Sequence, residues 1–266
     1  MPDIGRSISC FVVLVVLVAS HGCDSIPPRM PTWTGPDLIG VPATRPMVGL
    51  GADAPSDLEV VGDETPRIVT MDGGVTAVID GGLVTVPGWI ELEEGWLEVG
   101  VCRQGTREHE TVVATTSLPS VVHAAMLLAG FEPGSPAWYR ADGSSGPATG
   151  DAVLVEIRID DEKESQRVIP LAEAVDDERG ASDLHWVFAG SSFHPNPPAM
   201  GPGEYYAADY AGTIVGLTTF GDEVVAAVEV RSPEIGIDPA VWTIRKGVLP
   251  PAGSRVTLVL RRPSNE

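Results

Sequence analysis

Between Gly105 and Gly130 the chain reads GTREHETVVATTSLPSVVHAAMLLAG, and this stretch constrains the fold more than any other. Glu108, His109 and Glu110 stand in a row, β-branched Thr111–Thr115 follows, and after a short polar crossing Val121–Leu128 carries no Asp, Glu, Lys or Arg. An apolar helix without a polar face is expected to be buried on more than one side. Pro119 suits a first helical turn, where its missing N–H has no partner to lose. Thr116 or Ser117 offers a capping hydroxyl, and Gly130 stands where a left-handed residue closes a helix. The helix is therefore expected over Val121–Phe131, as the element around which strands pack.

The rest of the chain predicts short strands. RIVTM, VTAVI and LVTV, from Arg67 onward, are separated by Asp72-Gly73-Gly74 and Asp80-Gly81-Gly82, which supply the positive φ of tight hairpins. Trp89–Leu92 and Trp96–Cys102 follow, joined by Glu93-Glu94-Gly95. In the second, period-two alternation puts Cys102 on the face opposite Val101, together with Glu98. Val153–Ile159 alternates cleanly, Leu171–Val175 predicts a helical turn, and strands are expected at Trp186–Ala189, Tyr205–Tyr206, Thr213–Phe220, Ala226–Val230 and Val256–Leu260. Asp238–Trp242 is expected to form one turn of helix. The sum predicts an α+β fold: a single strand-rich domain over 67–266, with short, mostly antiparallel strands packed around one buried helix.

The N-terminal segment is of a different kind. Arg6 and the apolar run Phe11–Ala19 form an export signal, the run being too short to span a bilayer, which takes about 20 residues. Ser20-His21-Gly22-Cys23 resembles a bacterial lipobox, matching at Gly22 and Cys23 and departing from the usual residues at Ser20 and His21. This predicts a signal peptide over 1–22 and lipidation of Cys23, with membrane attachment through the lipid and no transmembrane helix. Ordinary cleavage near Ser20 or Gly22 would instead leave Cys23 as a free thiol. Residues 23–66, dense in Pro, Gly, Asp and Thr, are expected to be a flexible tether. The expected location is exported, lipid-anchored to the bacterial cell envelope on the periplasmic side.

Composition excludes several classes. Acidic residues outnumber basic ones 37 to 17, and a net charge of −20 repels phosphate backbones, so nucleic acid is not an expected partner. Of the three cysteines, Cys10 lies in the leader and Cys23 at the lipobox. Cys102 is thus the one thiol of the body, too few for an iron–sulfur cluster or a cysteine-rich zinc site. No P-loop or dinucleotide fingerprint is present, so neither ATP nor NAD is expected. His109-Glu110 begins an HExxH pattern, but Val113 occupies the second histidine's place. Ala189-Gly190-Ser191-Ser192-Phe193 lacks the second glycine of a nucleophile elbow, and no base stands beside it in the sequence. His194–Pro198 predicts a rigid exposed loop, a possible contact surface.

GVCRQGTREHETVVATTSLPSVVHAAMLLAG resembles the YdjY-like domain family of bacterial proteins, found in exported or lipid-anchored planctomycete chains. That family carries a cysteine, then GT(K/R)EHES, then a helix of the form PS-x-(I/V)-HAALL-x-AG. Thr111 replaces the usual serine. Gly134–Ala137, Trp186–Ser191, Tyr206–Asp209 and Pro250–Leu258 fit the same pattern, and the resemblance runs from about residue 83 to the end.

Two readings of function follow. The favoured one is a non-enzymatic binding or envelope-associated module, with Glu108, His109 and Glu110 as a candidate functional motif. The alternative is a metal-binding protein or metal-dependent enzyme. In that reading Cys102, His109, Glu110 and His123 offer a thiolate, two imidazoles and a carboxylate to a transition metal, a donor set that needs strand and helix to converge. The plainer account of the same residues is an exposed, ion-paired His109 and a buried, hydrogen-bonded His123.

Overall fold

Ala152–Ile159 shows in one strand how the molecule is built. Val153, Val155 and Ile157 are buried while Ala152 and Leu154 are exposed, the alternation its sequence predicts. Neighbouring strands do the same, and their apolar faces turn inward together. In this computed structural model the described residues are 65–140, 142–159, 167–180, 184–234, 237–238 and 241–264. All belong to one compact unit, Val61–Glu266. The leader, the lipobox with Cys23 and the tether as far as residue 64 lie outside the described residues.

Eight strands form a closed barrel: β1 (Leu83–Ile90), β2 (Val99–Arg103), β3 (Thr111–Thr115), β4 (Ala152–Ile159), β5 (Trp186–Phe188), β6 (Thr213–Gly216), β7 (Val225–Ala227) and β8 (Arg255–Arg261). Around the wall the order is β1, β8, β4, β5, β7, β6, β2, β3 and back to β1. The β2–β3 and β6–β7 pairs are parallel, and the others antiparallel. Register sets the core in rows. Leu258 lies between Val86 and Ile157, and Leu260 between Val84 and Val155. Each such side chain contributes roughly 1.5–3 kcal/mol when fully removed from water.

Strand β1 holds the closure. Along one edge it pairs with β8 from Leu83↔Arg261 to Trp89↔Arg255. Its other edge is shared. Leu83, Val84 and Thr85 pair with Thr76–Val78, itself hairpinned to Ile68–Thr70, while Trp89 and Ile90 pair with Ala114 and Val113 of β3. Between the two contacts sits Gly88, where a Cβ would meet the Ala114 carbonyl oxygen at 2.6 Å. Glycine there lets β3 come close enough to complete the ring.

The expected α+β arrangement around one buried helix is not what forms. Among the described residues the fold is a strand-rich closed barrel with only three short α-helices, α1 (Pro119–Leu128), α2 (Leu171–Ala174) and α3 (Ala207–Ala211). The physical reason is that a closed barrel of this size fills its interior with its own side chains. Helix α1 therefore lies against it, burying Pro119, Val122, Ala125 and Met126 towards the N-terminal hairpin, β1, β6 and α3. Its apolar character overstates its burial, because Leu127 is 47% and Leu128 41% exposed.

Other expectations shift in smaller ways. The strand expected over Trp96–Cys102 breaks at Glu98: Trp96–Leu97 joins a side sheet with Trp242–Ile244 and Val175–Asp177, and only Val99–Arg103 enters the barrel. Val99 to Cys102 are then all buried, so the expected two-faced alternation is lost. The helical turn expected at Asp238–Trp242 gives way at its end to the strand Trp242–Ile244. The strand expected over Thr213–Phe220 stops at Gly216, since the following residues form a turn that carries Glu223 inward.

Candidate functional site

Glu108–Glu110 forms a turn of 3₁₀ helix leading into β3. The Gly105 N–H donates to Glu108, and this bond holds the Glu108 carboxyl below its ordinary range. His109 points outward with 77% of its side chain exposed, its Nε2 3.5 Å from Glu110. Arg107 turns the other way. Its guanidinium lies 3.6 Å above the Phe220 ring, 3.3 Å from Asp222 and 3.8 Å from Glu110. Burial, with Glu110 beside it, raises the Glu98 carboxyl.

Cys102 is fully buried in β2, and loss of solvent pushes its thiol up, away from the thiolate a metal would take. His123 on α1 is half-buried. Its Nδ1 is 2.7 Å from the Tyr206 hydroxyl, its ring meets Phe188 edge-on at 5.1 Å, and burial lowers its pKa. Tyr206 in turn donates to the Gly190 carbonyl at 3.0 Å, and burial raises its phenol. Cys102, His109 and His123 thus have separate sets of neighbours. Among the described residues no three His, Cys, Asp or Glu side chains stand together as a metal ligand set.

Polar chemistry concentrates instead where the loop after β5 meets the turn before β7. Ser191 is held at φ +57°, its hydroxyl donating to the Asp222 carbonyl at 2.8 Å and accepting the Ala208 N–H at 3.1 Å. Ser192 Oγ lies 2.9 Å from His194 Nε2 and 3.4 Å from the Gly221 carbonyl. Behind this surface the Glu223 carboxyl is buried under the turn and accepts the N–H groups of Phe220 and Gly221. Desolvation, helped by neighbouring Asp222, pushes it up to about 7.

Residues 69–261 match the YdjY domain. The chain belongs to the YdjY domain family. Among curated proteins and among solved structures alike, nothing matches it. The Cys102, EHE and HAA positions by which the YdjY resemblance was recognised lie in β2, the 3₁₀ turn and α1, where they serve packing and hydrogen bonding.

Two features of this YdjY domain were not read from the sequence. The first is a cleft of about 300 Å3 lined by Trp138, Tyr139, Phe220, Gly221, Ser232 and Glu234. Trp138 and Tyr139 are 41% and 37% exposed on a hairpin with Ser145–Gly146. Gly146 packs against the Trp138 indole so closely that a Cβ would meet Nε1 at 2.5 Å, and the Arg140 guanidinium lies 4.3 Å over the same ring. The second is a ladder of aromatic rings on the hairpin Phe193–Pro195/Glu204–Tyr206 and α3. The rings meet tilted, His194 against Tyr205 with centroids 5.7 Å apart, Tyr205 against Tyr210 at 5.5 Å, and Phe193 against Tyr206 at 5.1 Å. Phe193 is 65% and Tyr210 71% exposed. A Trp-Tyr-Arg triplet running into Asp142-Gly143, and the paired Tyr205-Tyr206, were the available signals.

Proposed function

We propose that this protein is an exported, lipid-anchored binding module that holds a glycan of the bacterial envelope in the cleft between Trp138 and Phe220. The single observation that carries the reading is the Trp138 ring, fixed by Gly146 and Arg140 yet left 41% exposed in a concave site. The exposed part of Trp138, lining the cleft with Ser232 and Glu234, suits a sugar, which offers apolar C–H faces and hydroxyls at its rim. The net charge of −20 favours neutral or amino sugars over anionic polymers. In this reading Cys23 carries the lipid and residues 23–66 give the domain reach from the membrane.

Oligomers of N-acetylglucosamine should quench the tryptophan fluorescence of the full chain saturably. Trp138→Ala should weaken that binding by about 10- to 100-fold, the loss of roughly 1.5–3 kcal/mol of buried ring, with an unchanged melting curve. No saturable quenching, or equal binding by the variant, overturns the assignment. For the anchor, Cys23→Ser should move the protein from the detergent phase to the aqueous phase on cloud-point partition. Retention in the detergent phase removes that part.

A further inference from the structure

Ser192 and His194 are two residues apart, and on an extended segment such residues share a face. Their side chains meet, Ser192 Oγ to His194 Nε2 at 2.9 Å, while each backbone is held independently. The Ala207 N–H donates to the Ser192 carbonyl at 2.8 Å, and His194 is registered opposite Tyr205, whose ring lies tilted against the imidazole. Pro195 directly follows His194 and restricts the backbone there. The neighbouring Ser191 is engaged by the Asp222 carbonyl, the Ala208 N–H and the Tyr206 hydroxyl, so Ser192 is the serine whose hydroxyl faces the imidazole. The same hydroxyl lies 3.4 Å from the carbonyl of Gly221, a residue of the aromatic cleft, and of the two acceptors for its one proton His194 Nε2 is the nearer. A hydroxyl paired with an imidazole at the rim of a ligand cleft is the arrangement of an activated nucleophile.

We infer that Ser192 is a nucleophile and His194 its general base, acting on O-acyl esters of a sugar bound in the adjoining cleft. The inference rests on the glycan reading for its substrate, though not for its chemistry. As Ser192 Oγ bonds to the ester carbonyl carbon, its proton passes to His194 Nε2. When the tetrahedral adduct collapses, the bond from carbon to the sugar oxygen breaks and the imidazolium returns the proton to that oxygen, releasing the sugar hydroxyl. Water then bonds through its oxygen to the acyl carbon as it gives a proton to the same nitrogen; the bond to Ser192 Oγ breaks, the imidazolium returns the proton to Oγ, and the acyl group departs as a carboxylic acid. The overall reaction consumes one water and changes no oxidation state.

The test is labelling of the full chain with a biotinylated fluorophosphonate, with the modified peptide mapped by mass spectrometry. Wild type should label at Ser192 and Ser192→Ala should not. His194→Gln should label about 100-fold more slowly, the usual contribution of a positioned base, and the three proteins should melt alike. Slow hydrolysis of p-nitrophenyl acetate should disappear in the same two variants. Absence of label at Ser192 in folded wild type, or an undiminished rate in His194→Gln, overturns the proposal. Trp138→Ala separates the two readings. If wild type binds N-acetylglucosamine oligomers through Trp138 but carries no label, the nucleophile fails and the binding site stands. If Ser192 labels but no oligomer binds, the sugar is wrong and the nucleophile stands.

Discussion

Glu223 sits in an environment that favours its neutral form. It is 1% exposed, packed against Gly216 inside the turn, with Asp222 next to it. Its carboxyl is raised from an ordinary 4.5 to about 7. The folded state therefore binds more protons than the unfolded state between those two values. Stability from this group is complete below about pH 4.5, declines as pH rises, and is gone above about pH 7. The size is on the order of 3 kcal/mol, from about 1.4 kcal/mol per pKa unit. Burial raises Asp222 and Glu98 too, so they act in the same direction. The protein should melt at a higher temperature at pH 5 than at pH 8. Glu223→Gln, neutral throughout, should flatten most of that slope in a series of melts across this range. An equal slope in the variant would remove Glu223 as its source. Nothing in the local sequence GDEVV announces this, because burial depends on a turn closing over the side chain.

At the scale of elements, α1 shows both what local sequence reveals and what it hides. Pro119 in the first turn and Gly130 at φ +86° are where local rules put them. The Phe131 N–H to Met126 and Gly130 N–H to Leu127 bonds, each 3.0 Å, complete the C-terminal motif. The N-terminal cap was not legible. Ser117 bonds Thr115 and the Gly73 carbonyl instead, and the Ser120 N–H is capped at 2.8 Å by Asp209 of α3, 89 residues away. Such a cap follows from tertiary structure alone. Asp209→Ala should destabilise the domain by about 1 kcal/mol, a typical cap loss, readable as a shifted midpoint in urea with unchanged slope. Thr116→Ala, at the position expected to cap, should leave the midpoint where it is. The candidate site divides in the same way. The rigid loop expected over His194–Pro198 is in fact a strand as far as Pro195, paired with Glu204–Tyr206, and a 3₁₀ turn from Pro198, and the Ser192 contact needs that hairpin to form. The Trp138 hairpin leaves little trace in the sequence, since its strands are only two residues each.

For the whole molecule, strands were legible and closure was not. Hairpins announce themselves through Asp-Gly-Gly turns, whereas the β1–β3 contact that shuts the barrel rests on two residue pairs. The parallel β2–β3 and β6–β7 pairs leave no local trace either. An apolar helix therefore looked like the core when the core was the barrel's own lining. The closure makes a sharp prediction at Gly88, where any side chain meets the Ala114 carbonyl. Gly88→Val should cost well over the usual 1–3 kcal/mol of overpacking, because the obstacle is backbone, and should broaden the thermal transition. A sharp, unshifted melt would show that β3 can yield.

The long β1–β8 seam joins Leu83 to Arg261, nearly the full span of the domain. A growing chain can make every hairpin as it emerges, yet it must wait for the final strand before the wall is whole. Until then Leu83–Ile90 has a bare edge, the kind of surface on which strangers pair. Closure of this fold thus waits on residues 255–261, and the interval before they pair is when the free edge of Leu83–Ile90 is open to the wrong partner.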